Sequence, residues 1–322
     1  MITVFPPGLE HESTAEPYTR ADRVVALFQA LRPRQWSKNL IAVPLSTIGT
    51  VSLTGSLISR LAWAVALFIL SSSLVYILND VHDRHRDRLH PAKLHRPIAS
   101  GRVSVRAAWL FAALLGVALI GLTAIGPWRT AWVVAGYLLL NLAYTRWFKH
   151  KAIVDVIIVA TGFVLRVMFG AIAAGVAVSN WLILAIFSFS LLMCLGKRRH
   201  ELGLGTGDPT NHRPALMAYS PEFVNSLMVL ASGLGFGSYA SYLCTDTISQ
   251  PFGQILFLLS MPLTIFGLFR YIQILVIDGG GGDPTETLLR DRSIVIAALL
   301  GACCVPLAAF LSTTAAFSSA FF

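Results

Sequence analysis

Apolar positions in this chain come in long blocks, not in short periods. Windows of about 18 residues or more recur along nearly the whole sequence, the length an α-helix needs to cross a bilayer. Nine such stretches can be read: 38–57, 60–80, 106–125, 129–146, 153–175, 180–196, 222–244, 253–277 and 293–315. The first is the weakest, broken by Pro44 and Gly49, and Gly126-Pro127 makes a tight turn between the third and fourth. Ahead of them, Val24, Val25, Leu27, Phe28 and Leu31 fall at helical spacing and predict an amphipathic helix over Asp22–Leu31, lying on a membrane surface. Residues 1–20 are polar, proline-containing and aperiodic; they predict a disordered tail and hold no apolar run of the kind a signal peptide needs. The expected architecture is all-α and polytopic, with one transmembrane domain over 21–322.

The loops carry the charge. The N-terminal flank holds five Lys and Arg residues, the 2–3 loop seven, the 4–5 loop three, the 6–7 loop four and the 8–9 loop three, which is 22 of the 25. Nine spans with the N-terminus inside put all 22 in the cytoplasm, as the positive-inside rule requires. The chain is 55% hydrophobic and 13% charged, with a mean hydropathy of +0.68, too little charge for a soluble domain. Its net charge of +9 sits in membrane-flanking loops, so a nucleic-acid partner is not expected. Cys194, Cys303 and Cys304 lie in apolar stretches and Cys244 at the end of one, with no metal or disulfide spacing; they read as small buried thiols.

One polar stretch stands out. Tyr76 to Asp87 closes the second apolar block and holds Asn79, Asp80, Asp83 and Asp87. On a helix these four fall within an arc of about 100°. Three carboxylates so close repel one another unless a positive group sits among them. Oxygen-only donors favour a hard cation, and Mg²⁺ commonly takes one or two carboxylates plus substrate phosphates. The competing reading is a solvated helix end whose acids pair with Arg84, Arg86 and Arg88. Downstream, Lys93 and Arg96 precede a small-residue turn ending at Gly101, suited to phosphate or to anionic lipid. His82 and His85 have zinc spacing, but no third ligand accompanies them.

Other loops add candidates. Tyr144 and Lys149 lie in the 4–5 loop. Asp155 and Arg166 share a face of the fifth span, where an ionisable residue needs a partner or a wet cavity. Gly196-Lys197-Arg198-Arg199-His200-Glu201 opens the 6–7 loop, and Glu201 could complete a metal or ribose contact; its bases could equally be topogenic. Gly279–Gly282 reads as a hinge, with a lid as its functional option; no Gly-Lys-Ser/Thr follows, so it is no P-loop.

Asn79-Asp80-x-x-Asp83-x-x-x-Asp87 followed by Arg96-Pro-Ile-Ala-Ser-Gly101 resembles the first aspartate-rich motif of the UbiA superfamily of intramembrane prenyltransferases. The resemblance covers about residues 25–315 and implies a nine-helix bundle, with Asn79, Asp80, Asp83 and Asp87 holding Mg²⁺ on a donor diphosphate. The chain departs from the usual pattern at the 6–7 loop, where most prenyl-transferring members carry a second DxxxD. With Leu31–Asn39, Tyr144–Asp155 and Leu289–Arg292, the combination resembles the decaprenyl-phosphate phosphoribosyltransferase branch, whose members move 5-phosphoribose from phosphoribosyl diphosphate to a polyprenyl phosphate at the bacterial plasma membrane, early in cell-wall arabinan synthesis.

That resemblance implies Asp80, Asp83 and Asp87 as the catalytic acids and Lys93 and Arg96 as donor-phosphate ligands. Tyr144, Lys149, Lys197 and Arg198 are assigned to the 5-phosphate or lipid phosphate. Arg34, Gln35, Lys38 and Asn39 are expected at the mouth where the lipid headgroup arrives, with Asp155, Arg166 and Glu201 as further substrate contacts. Two alternatives stay open: a prenyl transfer from a prenyl diphosphate to an aromatic acceptor, and a transporter of lipid-linked or anionic solutes. Polyprenyl length and oligomeric state are open as well.

Overall fold

The computed structural model describes residues 19–42, 54–89, 93–203, 214–247 and 253–312. The expected tail of residues 1–20 and the middle of the expected first span therefore lie largely outside the described residues.

Helix α1 (Arg20–Ala30) starts at Thr19, whose hydroxyl and Asp22 form a reciprocal capping box. It buries Ala26 and Ala30 and turns Val24, Val25 and Phe28 of the predicted apolar face outward, while Leu27 and Leu31 of that face pack on the core. A 3₁₀ segment, Pro33–Ala42, follows. Helix α2 (Gly55–Leu89) is continuous over 35 residues, about nine beyond the span boundary read from hydropathy. At 1.5 Å per residue it measures about 52 Å, well beyond a hydrocarbon core of about 30 Å. Its last turns, Asp80 to Leu89, thus extend the membrane helix instead of forming a loop.

The bundle continues with α3 (Val105–Ala124), α4 (Trp128–Ala143), α5 (Val154–Ala174), α6 (Asn180–Gly203), α7 (Pro221–Tyr242), α8 (Gly253–Val276), the short α9 (Pro284–Arg290) and α10 (Arg292–Ser312). Starts follow local chemistry: Ser104 caps α3, and Ser220-Pro221 and Asp283-Pro284 place an N-cap acceptor before a proline at the first turn. Among the described residues six helices are long and apolar enough to cross a membrane: α2, α3, α5, α6, α7 with its extension to Thr245, and α8. Helix α4 has 16 residues, and Arg292–Cys304 of α10 is a shorter apolar stretch.

Helix α5 sits at the centre, packed on α2, α4 and α6. One apolar core joins α1 to α5 around Leu67, Phe68, Tyr137 and Phe169; a second joins α5 to α8 and the start of α10 around Leu192, Met228, Tyr271 and Leu275. Gly196 lets α6 and α8 approach, since a Cβ there would lie 2.6 Å from Leu275 and 2.9 Å from the Tyr271 hydroxyl.

Candidate active site at the polar end of the bundle

The acid face of α2 does receive positive groups, though not the neighbouring arginines. Asp80, 2% exposed, accepts a bond from Arg32 and another from Arg96 Nη1 at 3.1 Å. The same Arg96 nitrogen reaches Asp87 at 2.7 Å. Asp83 pairs with Lys149, whose Nζ is also 3.4 Å from His82 Nδ1. The competing reading, in which the acids pair with neighbouring arginines of the same helix, does not hold for Arg86 and Arg88: Arg88 donates to the Ala99 carbonyl at 2.8 Å and Arg86 meets His150 at 2.9 Å. Asn79 accepts from Thr145 on the widened turn Tyr144–Phe148 that ends α4. Asp80 and Asp87 are buried, whereas Asp83 is 26% exposed and opens to solvent.

The donor chemistry fits a phosphate-bound magnesium ion. The residues offered are oxygen donors, and among the described residues no three acidic, imidazole or thiol groups converge as a complete cage. An ion held by one or two carboxylates and completed by phosphate oxygens matches this set.

A second polar group joins the 4–5 and 6–7 connections. Asp155 is 1% exposed, accepts from the Tyr219 hydroxyl at 3.1 Å, and lies 3.4 Å from Arg198 Nε. Arg198, buried on α6, also pairs with Glu201. Burial pushes the Tyr219 phenol up to about 12, so it stays neutral and donates.

Asp155 and Arg166 share a face of α5 but turn to different partners. Arg166 donates from Nε to Asn39 at 3.0 Å, from Nη1 to the Gly162 carbonyl and from Nη2 to the Tyr137 hydroxyl, both at 2.9 Å. The rings of Tyr137 and Phe163 lie 5.0 Å from its guanidinium carbon. Asn39 passes a further bond to Ser72 at 3.0 Å. The expectation of Asn39 at a lipid mouth is thus corrected: it is 1% exposed and faces the bundle interior.

The connection after α8 is clasped on both sides. His200 Nδ1 lies 3.1 and 3.0 Å from the carbonyls of Gly279 and Gly280. Asp283 meets Gln35 and Lys38, each at 3.4 Å, while capping α9. Burial pushes the Asp283 carboxyl up, but Lys38, Gln35 and the Thr285 and Glu286 amides together hold it below the ordinary 3.8. The clasp is therefore complete above the ordinary carboxylate range and is lost as pH falls through the lowered value. The contribution of Asp283 to protection of 279–290 from proteolysis should be full well above 3.8 and be lost progressively as pH falls from about there through the lowered value; in Asp283→Asn protection should be weaker and lack that acid-side loss. A step centred above 3.8 would contradict the clasp.

The model of the UbiA prenyltransferase family matches residues 41–278. This chain belongs to that family. A Corynebacterium glutamicum protein named decaprenyl-phosphate phosphoribosyltransferase is 33% identical over 92% of the chain and 94% of its own length. A Mycobacterium tuberculosis protein of the same name is 35% identical over 87% and 92%. In fold, the chain is similar to an Archaeoglobus fulgidus UbiA homologue solved with DMAPP and Mg²⁺, with a TM-score of 0.68 at 18% identity, covering 89% of this chain and 98% of that one.

Within this UbiA chain the structure brings Asn79, Asp80, Asp83, Asp87, Arg96 and Lys149 together, and gathers Asp155, Arg198 and Glu201 separately. Lys38 and Gln35 join Asp283, and Arg34 is exposed. Lys93 and Tyr144 are half-buried and Lys197 is exposed at the same polar end. Sequence reasoning missed Arg32, which holds a backbone φ of +54° and lies over the Tyr76 ring at 4.7 Å while bonding Asp80. It also missed Thr145, Tyr219 and Asp283. Only Asp283 carried a local signal, the Asp-Pro start of a helix.

Proposed function

We propose that this UbiA protein transfers 5-phosphoribose from phosphoribosyl diphosphate to a polyprenyl phosphate, releasing diphosphate. The observation that carries the reading is the site's charge inventory. One acid face on α2 lies among Arg32, Arg96 and Lys149, and the corresponding end of α6 presents Arg198 and Lys197 where a second acid motif would suit a prenyl diphosphate donor. A phosphoribosyl donor carries a diphosphate and a 5-phosphate, and the acceptor adds a third phosphate group, which suits one acid cluster and several bases. The names of the full-length relatives support the same activity.

Asp80 and Asp83, with Asn79 and Asp87 in support, would hold Mg²⁺, which when bound neutralises charge on the diphosphate leaving group. Lys93 and Arg96 bind the donor phosphates; Tyr144, Lys149, Lys197 and Arg198 take the 5-phosphate or the lipid phosphate. The C1–O bond to diphosphate breaks with its electron pair on the leaving oxygen, and a lipid phosphate oxygen bonds C1 from the opposite face, inverting it. That nucleophile is already anionic, so no general base is needed; the residues align it and screen its charge. The polar end faces the cytoplasm of a bacterial plasma membrane in this reading, where the soluble donor is available.

Purified protein given labelled phosphoribosyl diphosphate, polyprenyl phosphate and Mg²⁺ should yield labelled lipid, and EDTA should stop it. No labelled lipid with any polyprenyl length, or turnover of a prenyl diphosphate with an aromatic acid instead, would reject the proposal.

A further inference from the structure

Ile153 has φ +67° and ψ −52° at the entrance to α5. The Val154 amide bonds the Ala152 carbonyl at 2.8 Å across it, so the turn is a three-residue γ-turn of the rare, strained hand. A β-branched residue is a poor occupant of that conformation. Ile153 is 44% exposed, so little apolar packing holds it there. A polar contact does: the Ile153 amide donates to the Tyr219 hydroxyl at 2.6 Å, and that hydroxyl donates onward to Asp155. Tyr219 itself is fixed, 6% exposed in the second core and immediately before the Ser220 cap of α7.

We propose that Tyr219 is a positioning residue whose hydroxyl locks the strained Ile153 turn and so sets the spacing between Lys149 and Arg198. Both cations connect to it. Lys149 is four residues before Ile153, and its amide is tied to the Tyr144 carbonyl at 2.9 Å. Arg198 reaches the same junction through Asp155. One phenol oxygen thus couples the 4–5 connection, which serves Asp83, to the end of α6. The inference rests on the proposed function insofar as these cations bind the 5-phosphate or the lipid phosphate.

Tyr219→Phe removes the oxygen and keeps the ring. The KM for the donor or for the polyprenyl phosphate, whichever phosphate these cations hold, is expected to rise about tenfold with kcat within about twofold, the pattern of lost uniform binding. Hydrogen exchange at the Ile153 amide should quicken about tenfold or more. Adding Ile153→Gly to Tyr219→Phe should restore KM, because glycine adopts the turn without strain; a packing defect would not be rescued by a smaller residue. Unchanged exchange, unchanged KM, or a KM that glycine leaves high would each overturn the proposal. If wild-type protein makes no labelled lipid, the proposed function fails, and the Ile153 exchange rate still decides whether the lock exists.

Discussion

Asp83→Asn is expected to lower transfer by at least about 10²-fold while the protein still folds and inserts, the scale seen when one group stabilising transition-state charge is removed. Asp83 is the acid to change because of its surroundings. Asp80 is buried between Arg32 and Arg96 and Asp87 is buried against Arg96, so removing either charge leaves Arg96 with less compensation, which mixes stability with chemistry. Asp83 is 26% exposed and holds only Lys149 and His82. The amide is isosteric and keeps one hydrogen-bond acceptor, but it loses the charge that a phosphate-bound cation needs. Turnover of labelled phosphoribosyl diphosphate, read beside the elution profile in detergent, separates loss of activity from loss of fold. Near-normal turnover would remove Asp83 from the metal role.

Arg166→Leu should give the largest loss of stability. Leucine fits the apolar ring surroundings of Phe68, Tyr137 and Phe163 but donates nothing. Asn39, the Gly162 carbonyl and the Tyr137 hydroxyl would each lose a partner inside the bundle. A stranded buried polar group costs roughly 1–3 kcal/mol. Some rearrangement is expected, so a net loss on the order of 3 kcal/mol follows. The effect should reach the 3₁₀ segment Pro33–Ala42, because Asn39 fastens it to α5 and Gln35 and Lys38 on the same segment clasp Asp283. Thermal unfolding in detergent and proteolysis of the N-terminal segment measure both. An unchanged midpoint with intact protection would show that Asn39 and Tyr137 find other partners.

Much of the architecture was legible in the residues. Apolar block length marked the six described helices long enough to cross a membrane, and the 100° geometry placed Asn79, Asp80, Asp83 and Asp87 on one face, because both depend on local spacing alone. The boundary at 80 was misplaced because hydropathy records where polar residues begin, whereas the α2 backbone continues helically to Leu89. Asn39 was misjudged because a polar residue beside Lys38 looks like a mouth residue. Nothing nearby in sequence reveals an arginine waiting inside the bundle.

The sequence by itself determined a helical membrane protein with one acid-lined helix face. Only the tertiary structure decided which charges meet. Arg32 lies 48 residues from Asp80, Lys149 lies 66 from Asp83, Arg166 lies 127 from Asn39 and Lys38 lies 245 from Asp283. Helical periodicity fixes which side chains share a face within one helix. Pairing between helices depends on how whole apolar faces pack, and that packing is a property of the bundle as a unit.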